Sequence, residues 1–370
     1  MGKIRVGVIG VGNCFAGLIQ GIQYYERHPE MKLIGLMYDT MPPGKEGYSI
    51  FDIQFTSAFD VGKNKIGKPL HEAIYEPPNL VDWVPKLEPS KVIVKQSPEL
   101  DGIGIYTKEK IGPILNRKSK KTLAREIIKE VEGTGTEILI NYLPVGSHEA
   151  TRFWSDIAVK TGCAFVNCIP EFIASRYRSE ERFRDYGLPV IGDDIKSQVG
   201  ATITHRVLTK LCVDRGTVID KTYQVNVGGN TDFANMLERE RLKSKKISKT
   251  EAVRSLMPEG AKLSNNNIYI GPSDFIPFLG NTKIAFIRLE GRMFANVPYN
   301  MEVRLEVDDK ANSAGVAVDA IRCAKIALDR NHVGAVEPAC AFYMKHPPER
   351  VAELDDGRAL QQLEAWLSEV

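Results

Sequence analysis

Four lysines, Lys243, Lys245, Lys246 and Lys249, fall within the seven residues KSKKISK of a chain whose 49 basic and 47 acidic residues otherwise nearly cancel. An isolated charge run is ordinarily a solvated face, but this one has company. Just upstream, NVGGNTDF sets Gly228, Gly229, Asn230 and Asp232 after a strand-like run, the composition of a loop that lets backbone approach a ligand. IGDDIKSQ places Asp193, Asp194 and Lys196 at the end of a short apolar strand, where open α/β sheets bind ligands. Three polar loops would then flank one cleft, and ammonium groups at this density welcome an anion. Ser248 and Glu251 form a capping-box pattern ahead of AVRSLM, which predicts a helix starting there with Lys249 in its first turn. A helix running through the whole stretch instead puts Lys245 and Lys249 on one face, where like charges cost about a few tenths of a kcal/mol. Both geometries stay open.

A second set of residues points to a nucleotide. In VIGVGNCFAG, Gly10 and Gly12 lie between a strand and a helix, where a dinucleotide fold needs a tight turn and close approach to a pyrophosphate. Phe15 stands where the fingerprint has its third glycine, so the helix must meet the sheet in a modified way. Such folds also carry an acid at the end of the second strand to bond the ribose hydroxyls. Asp39 in KLIGLMYD has the better spacing and Asp60 in IQFTSAFD the better strand. These residues alone leave the two level.

The elements that must position these groups alternate. Apolar runs such as KVIVKQ, TEILINYLP and CAFVNCIP are separated by helix-period stretches such as SHEATRFWSDIAVKTG, the pattern of a doubly wound parallel sheet. After Asp194 the pattern changes. QVGATITHRVLTKLCVDRG predicts a helix, and then strand-like runs follow without helical spacers. In MEVRLEV, Met301, Val303, Leu305 and Val307 share one face. A second domain on an open, largely antiparallel sheet is expected, with a return to helix from Ser313. The 370 residues are long enough for two domains. A net charge of +2 leaves no global field for nucleic acid or a membrane surface. Six scattered cysteines without a C-x-x-C pair read as reduced core residues, and the N-terminus enters a strand without a cleavable leader. A soluble cytoplasmic protein is expected.

With GDDIKSQVGATITHRVL, NVGGNTDF, LERERLKSKKISKT and NSAGVAVDAIRCAK in this order, the chain closely resembles the myo-inositol-1-phosphate synthase family, in its short bacterial and archaeal form, over nearly its whole length. The resemblance implies an NAD-dependent, redox-neutral cyclisation of D-glucose 6-phosphate to an inositol monophosphate. It implies C5 oxidation, enolisation, intramolecular aldol closure and re-reduction. By motif it carries the catalytic roles onto Lys245, Lys249, Lys283 and Lys345, with Lys245 as proton shuttle to the C5 oxygen, and onto the acids Asp194 and Asp309. Lys243 and Lys246 have no counterpart and are expected to be solvated. For NAD it points to the turn residues Gly10, Gly12, Asn13 and Cys14, to Ser197, and to Asn230, Thr231 and Asp232. It also tips the ribose role to Asp60 and makes residues 31–50 an inserted excursion. The implied architecture is a Rossmann-like domain of residues 1–195 plus 311–370, interrupted by a catalytic and tetramerisation domain of residues 196–310, in a homotetramer. Members of the family differ in using a divalent metal or a monovalent cation, and no ligand for either is assigned.

The six histidines form no metal motif, and P-loop and G-x-S-x-G signatures are absent. Two other readings remain: an NAD-dependent sugar-phosphate dehydrogenase on the same plan, and an NAD-binding sensor whose lysines dock nucleic acid. The scarcity of aromatics around KSKKISK counts against the second.

Overall fold

The computed structural model describes residues 2–44, 46–114 and 118–369. In chain order its first half gives β1 (Ile4–Ile9), α1 (Asn13–Arg27), β2 (Ile53–Asp60), β3 (Val94–Gln96), α2 (Lys120–Gly133), β4 (Ile138–Asn141), α3 (His148–Thr161), β5 (Ala164–Asn167), α4 (Tyr177–Asp185) and β6 (Pro189–Ile191). These strands are parallel and lie in the order β6-β5-β4-β1-β2-β3. The central ones are apolar on both faces and almost wholly buried, as strands covered by helices on either side must be. Strand order reverses between β1 and β4, the switch point beside which a ligand crevice opens. Helix α3 closes on Gly162 in the left-handed region, φ +68°, where glycine carries no steric cost.

The second sheet follows α5 (Ala201–Asp214) and contains β7 (Val218–Gly228), β8 (Ile268–Phe275), β9 (Thr282–Arg292) and β10 (Pro298–Asp308), with α6 (Thr231–Asn235) and α7 (Lys243–Arg254) between β7 and β8. Its order is β8-β7-β9-β10. The β8–β7 pair is parallel and the other two are antiparallel, so the open, largely antiparallel sheet expected from the sequence is present. One face buries Ala285, Ile287 and Leu289 of β9 with Cys212 of α5 and Val253 of α7. The other leaves Tyr223, Tyr269 and Phe286 exposed.

The chain then returns to the first sheet. Helix α8 (Ala311–Asp329) packs on α1, β5 and β6, and β11 (Gly334–Ala335) pairs in parallel with β6. Helices α9 (Glu337–Tyr343) and α10 (Asp356–Ser368) follow. Asp356 in the first turn of α10 accepts from Lys196 Nζ at 2.8 Å and Arg206 Nε at 2.9 Å, tying the end of the chain to α5. The excursion of residues 31–50 contains a short hairpin, Thr40–Met41 paired with Tyr48–Ser49, and lies against α8. There the fully buried Arg322, paired with Asp319, donates to the carbonyls of Tyr38 at 2.9 Å and Asp39 at 3.2 Å. Asp39 is thus held by its backbone in an irregular segment, with its side chain exposed. Among the described residues no helix is long and apolar enough to cross a membrane.

His205 of α5 is buried, with Nε2 2.8 Å from Thr222 Oγ1. Burial pushes its pKa from 6.5 down to about 4. Between those pH values the unfolded chain binds the proton that the folded chain refuses. Stability therefore falls as pH drops through that window, by about 3 kcal/mol at most from this group. Urea denaturation across the window should show a shallower acid loss for His205→Gln than for the natural chain; equal slopes would remove His205 as a contributor.

Candidate active site

A cleft of about 1620 Å³, counting its open mouth, is lined by residues from both sheets. At the first sheet the glycine turn explains itself physically. Gly10 has φ +91°, and a Cβ there would meet the Tyr142 carbonyl at 3.0 Å. Its N–H donates to Phe59 O at 2.8 Å. Gly12 is different: apart from its neighbours in the chain, no protein atom lies within 4 Å of a Cβ added there. The protein itself does not require glycine at that point, but close approach by a ligand would. Gly12 is also the N-cap of the 15-residue α1 and gives it no side-chain cap, so the first N–H groups of the helix remain available to an anion. The missing third glycine is accommodated in the core, where Phe15 is fully buried and packs edge-on to Phe55 at 4.8 Å.

Asp60 ends β2 and braces this turn. One carboxylate oxygen accepts from Val11 N and the other from Val61 N and Gly62 N, all at 2.8 Å. Asp60 lines the cleft, and Asp39 does not. The buried Lys65 donates to Val11 O at 2.7 Å. Asn13 accepts from Leu80 N at 2.6 Å and donates to Thr231 Oγ1 at 3.3 Å, a bond that joins the two halves of the cleft. Cys14 and Ser197 also line it.

Opposite the turn lie the lysines. Helix α7 runs through the whole KSKKISK stretch, so the start at Ser248 that the capping box allowed is not the one adopted. Ser248 instead donates to Asp194 Oδ2 at 2.7 Å, a partner 54 residues away that outcompetes local capping. Lys245 and Lys249 are 8% and 4% exposed, whereas Lys243 and Lys246 on the opposite side are solvated. Lys283 arrives from β9, and Lys345 from the segment after α9. Asp194 (φ +62°) accepts from Lys345 Nζ at 3.0 Å. Asp232 accepts from Lys245 at 3.2 Å. Asp309 accepts from Lys283 at 3.3 Å, Lys310 at 3.0 Å and Asn230 at 3.1 Å. Asn230 caps α6 through Asp232 N and Phe233 N; of the site residues inferred from the sequence it is the one set back from the lining.

These pairings separate the lysines electrostatically. Burial opposes charge on Lys245, yet Asp232 and Asp194 outweigh it and hold its pKa above the ordinary lysine value. Burial likewise opposes charge on Asp309, but Lys310 and Lys283 carry it well below the carboxylate range. Lys249 has no such support. Burial, and then the charges of Lys245, Lys283 and Lys345, push its amine well below the ordinary range against the opposing Asp194. Among the described residues its Nζ has no hydrogen-bonded or ion-paired partner. Lys249 is thus the cleft lysine whose charge the surroundings disfavour most clearly, and Lys245 the one whose charge they favour.

Lys310 and Lys65 were not expected from the sequence, and Ser248 was expected only as a helix cap. Lys310 had one available signal, its place directly after Asp309; Lys65 lies in a loop without a motif.

A parallel sheet with a glycine turn at its switch point, facing a cleft of buried lysines, defines an α/β dinucleotide-fold protein with a second, cationic compartment. Among known proteins, the model of the family described as myo-inositol-1-phosphate synthase matches residues 200–310. The chain is 47% identical over 370 residues to the inositol-3-phosphate synthase of Mycolicibacterium smegmatis, covering 99% of this chain and 98% of that one. It is 46% identical over 366 residues to the inositol-3-phosphate synthase of Mycobacterium tuberculosis H37Rv, covering 99% and 96%. This chain belongs to the myo-inositol-1-phosphate synthase family. A crystal structure of a related protein from Thermotoga maritima superposes with a TM-score of 0.81 at 26% identity, over 99% of this chain and 98% of that one. The inositol-3-phosphate synthase of Caenorhabditis elegans shares the fold, with a TM-score of 0.80 at 14% identity over 99% and 85%.

Proposed function

We infer that this chain is an inositol-3-phosphate synthase, an intramolecular lyase that closes D-glucose 6-phosphate into 1D-myo-inositol 3-phosphate with NAD. The observation that carries the mechanism is the unpaired amine of Lys249 among lysines paired to Asp194, Asp232 and Asp309. The open space at Gly12 and the uncapped start of α1 suit a dinucleotide pyrophosphate, and Asp60 has the position for its ribose. When bound there, NAD would supply the hydride acceptor and donor for C5.

The residues do the rest. Oxidation at C5 releases a hydroxyl proton, which needs a neutral acceptor. Lys245, held charged by Asp232 and Asp194, does not suit that step; the shuttle passes to Lys249. The Lys245 ammonium polarises the resulting ketone, so that a C6 proton becomes acidic and the enolate is stabilised. The proton leaving C6 is taken by the substrate's own phosphate. As C6 bonds to C1, the aldehyde oxygen takes a proton from Lys283 or Lys345, the other supplying counter-charge, and the proton held on the phosphate restores the donor lysine. Lys249 gives back the first proton when C5 is reduced. Oxidation and reduction cancel.

Incubation with glucose 6-phosphate and catalytic NAD⁺, followed by phosphorus NMR, should show one inositol monophosphate and no accumulated NADH. Stoichiometric NADH would make the chain a dehydrogenase instead. Asp60→Ala should weaken NAD about 10-fold or more while barely changing sugar phosphate affinity, since it loses charge-assisted hydrogen bonds at the turn and at the ribose. Unchanged NAD affinity in calorimetry would remove Asp60 from that role.

A metal does not fit the donor set. Among the described residues no group of three or more His, Cys, Asp or Glu is placed to hold one, and the cleft's Asp194, Asp232 and Asp309 already answer lysines. The open sheet face with Tyr223, Tyr269 and Phe286 is the surface on which a homotetramer would assemble. Six free thiols among the described residues are in keeping with a cytoplasmic setting.

A further inference from the structure

Lys310 lines the same cleft but has no part in the steps above. It is 3% exposed and fixed at both ends. Its backbone N–H donates to Asp308 Oδ1 at 2.9 Å, and its Nζ donates to Asp309 Oδ2 at 3.0 Å. The same Nζ stands 3.5 Å from Cys14 Sγ, in the first turn of α1. Gly17, one turn further along α1, leaves room for its stem: a Cβ there would stand 3.2 Å from Lys310 Cβ. The lysine is therefore laid across the start of α1 rather than extended toward solvent. An ammonium has three donors, and Asp309 and Cys14 answer two.

Two features next to it ask for an anion. Helix α1 begins without a side-chain cap, and the space over Gly12 is empty of protein. A fixed positive charge beside the free N–H groups of a helix start adds to their partial charge on the same bound group. The carboxylate that could have held a metal ion there, Asp309, is paired with two lysines instead.

We propose that Lys310 is the resident cation of this site: its ammonium binds the phosphates of the dinucleotide at the start of α1 while pairing with Asp309, so no added metal ion is required there. This rests on the reading that the cleft takes NAD. It also gives Asp309 a linking role, because one carboxylate then holds Lys310 on the cofactor side and Lys283 on the sugar side.

The test is NAD affinity, measured by calorimetry on the full chain with EDTA, and again with magnesium or zinc chloride. The natural chain should bind NAD equally in all three. Lys310→Met, which keeps the stem and removes the charge, should bind NAD about 10- to 100-fold more weakly in EDTA, the loss of one charged hydrogen bond. Part of that loss should return with magnesium, now free to reach Asp309. Natural-chain affinity that collapses in EDTA overturns the proposal without reference to any variant, as does a folded Lys310→Met that binds NAD normally. If the natural chain binds no NAD under any condition, the reading beneath fails, and this proposal with it.

Discussion

Lys249→Met lowers turnover by about 10²- to 10⁴-fold, the usual contribution of a positioned acid–base group, and leaves NAD affinity almost unchanged. The reason is the asymmetry among the cleft lysines. Lys249 is buried beside three positive neighbours and has no paired carboxylate, which lowers its pKa and readies its amine to accept the C5 hydroxyl proton. In the natural enzyme the rate falls as pH drops through this depressed pKa, because protonation fills the acceptor. In Lys249→Met the acid limb should be absent from whatever activity survives. Lys249→Arg should be equally impaired, since a guanidinium keeps the charge but does not give up its proton. Single-turnover kinetics across pH would decide it. A variant with normal turnover, or one with the same acid limb, removes Lys249 from the proton path.

Lys245→Ala lowers turnover by about 100-fold or more for a different reason. Its ammonium, held by Asp232 at 3.2 Å, is proposed to carry the negative oxygen of the ketone as it enolises. The substitution also has an indirect effect that a merely structural role would not produce. Lys245 is one of the charges holding the Lys249 pKa down; without it that pKa rises, and the acid limb of the rate profile moves to higher pH. NAD binding should stay nearly intact, because Lys245 reaches the cleft from α7 and is not part of the glycine turn. A fall in rate without displacement of the acid limb would argue against electrostatic coupling between the two lysines.

Much of this was legible in the chain because it depends on neighbours in sequence. Gly10 is required by a positive φ and by the nearness of Tyr142 O, and a glycine between strand and helix advertises such a need. The alternation in MEVRLEV appears as one half-buried and one exposed face of β10, because pleating alone assigns alternate side chains to opposite sides. The family was legible from long motifs, and the 47% identity to a curated relative bears it out.

Other features depend on groups that only the folded chain brings together. Spacing favoured Asp39 and strand pattern Asp60, and only the family resemblance tipped the balance to Asp60; in the fold the excursion of residues 31–50 carries Asp39 onto α8, while β2 delivers Asp60 to the turn. Ser248 has the pattern of a cap, yet Asp194 takes its hydroxyl. Lys310 bears no motif and meets Cys14 across 296 residues of chain. The sequence by itself determined which elements form and which lysines gather. Tertiary structure decided their protonation, because a lysine's charge depends on its burial and on the few ångströms to the next carboxylate, and neither is encoded in local order.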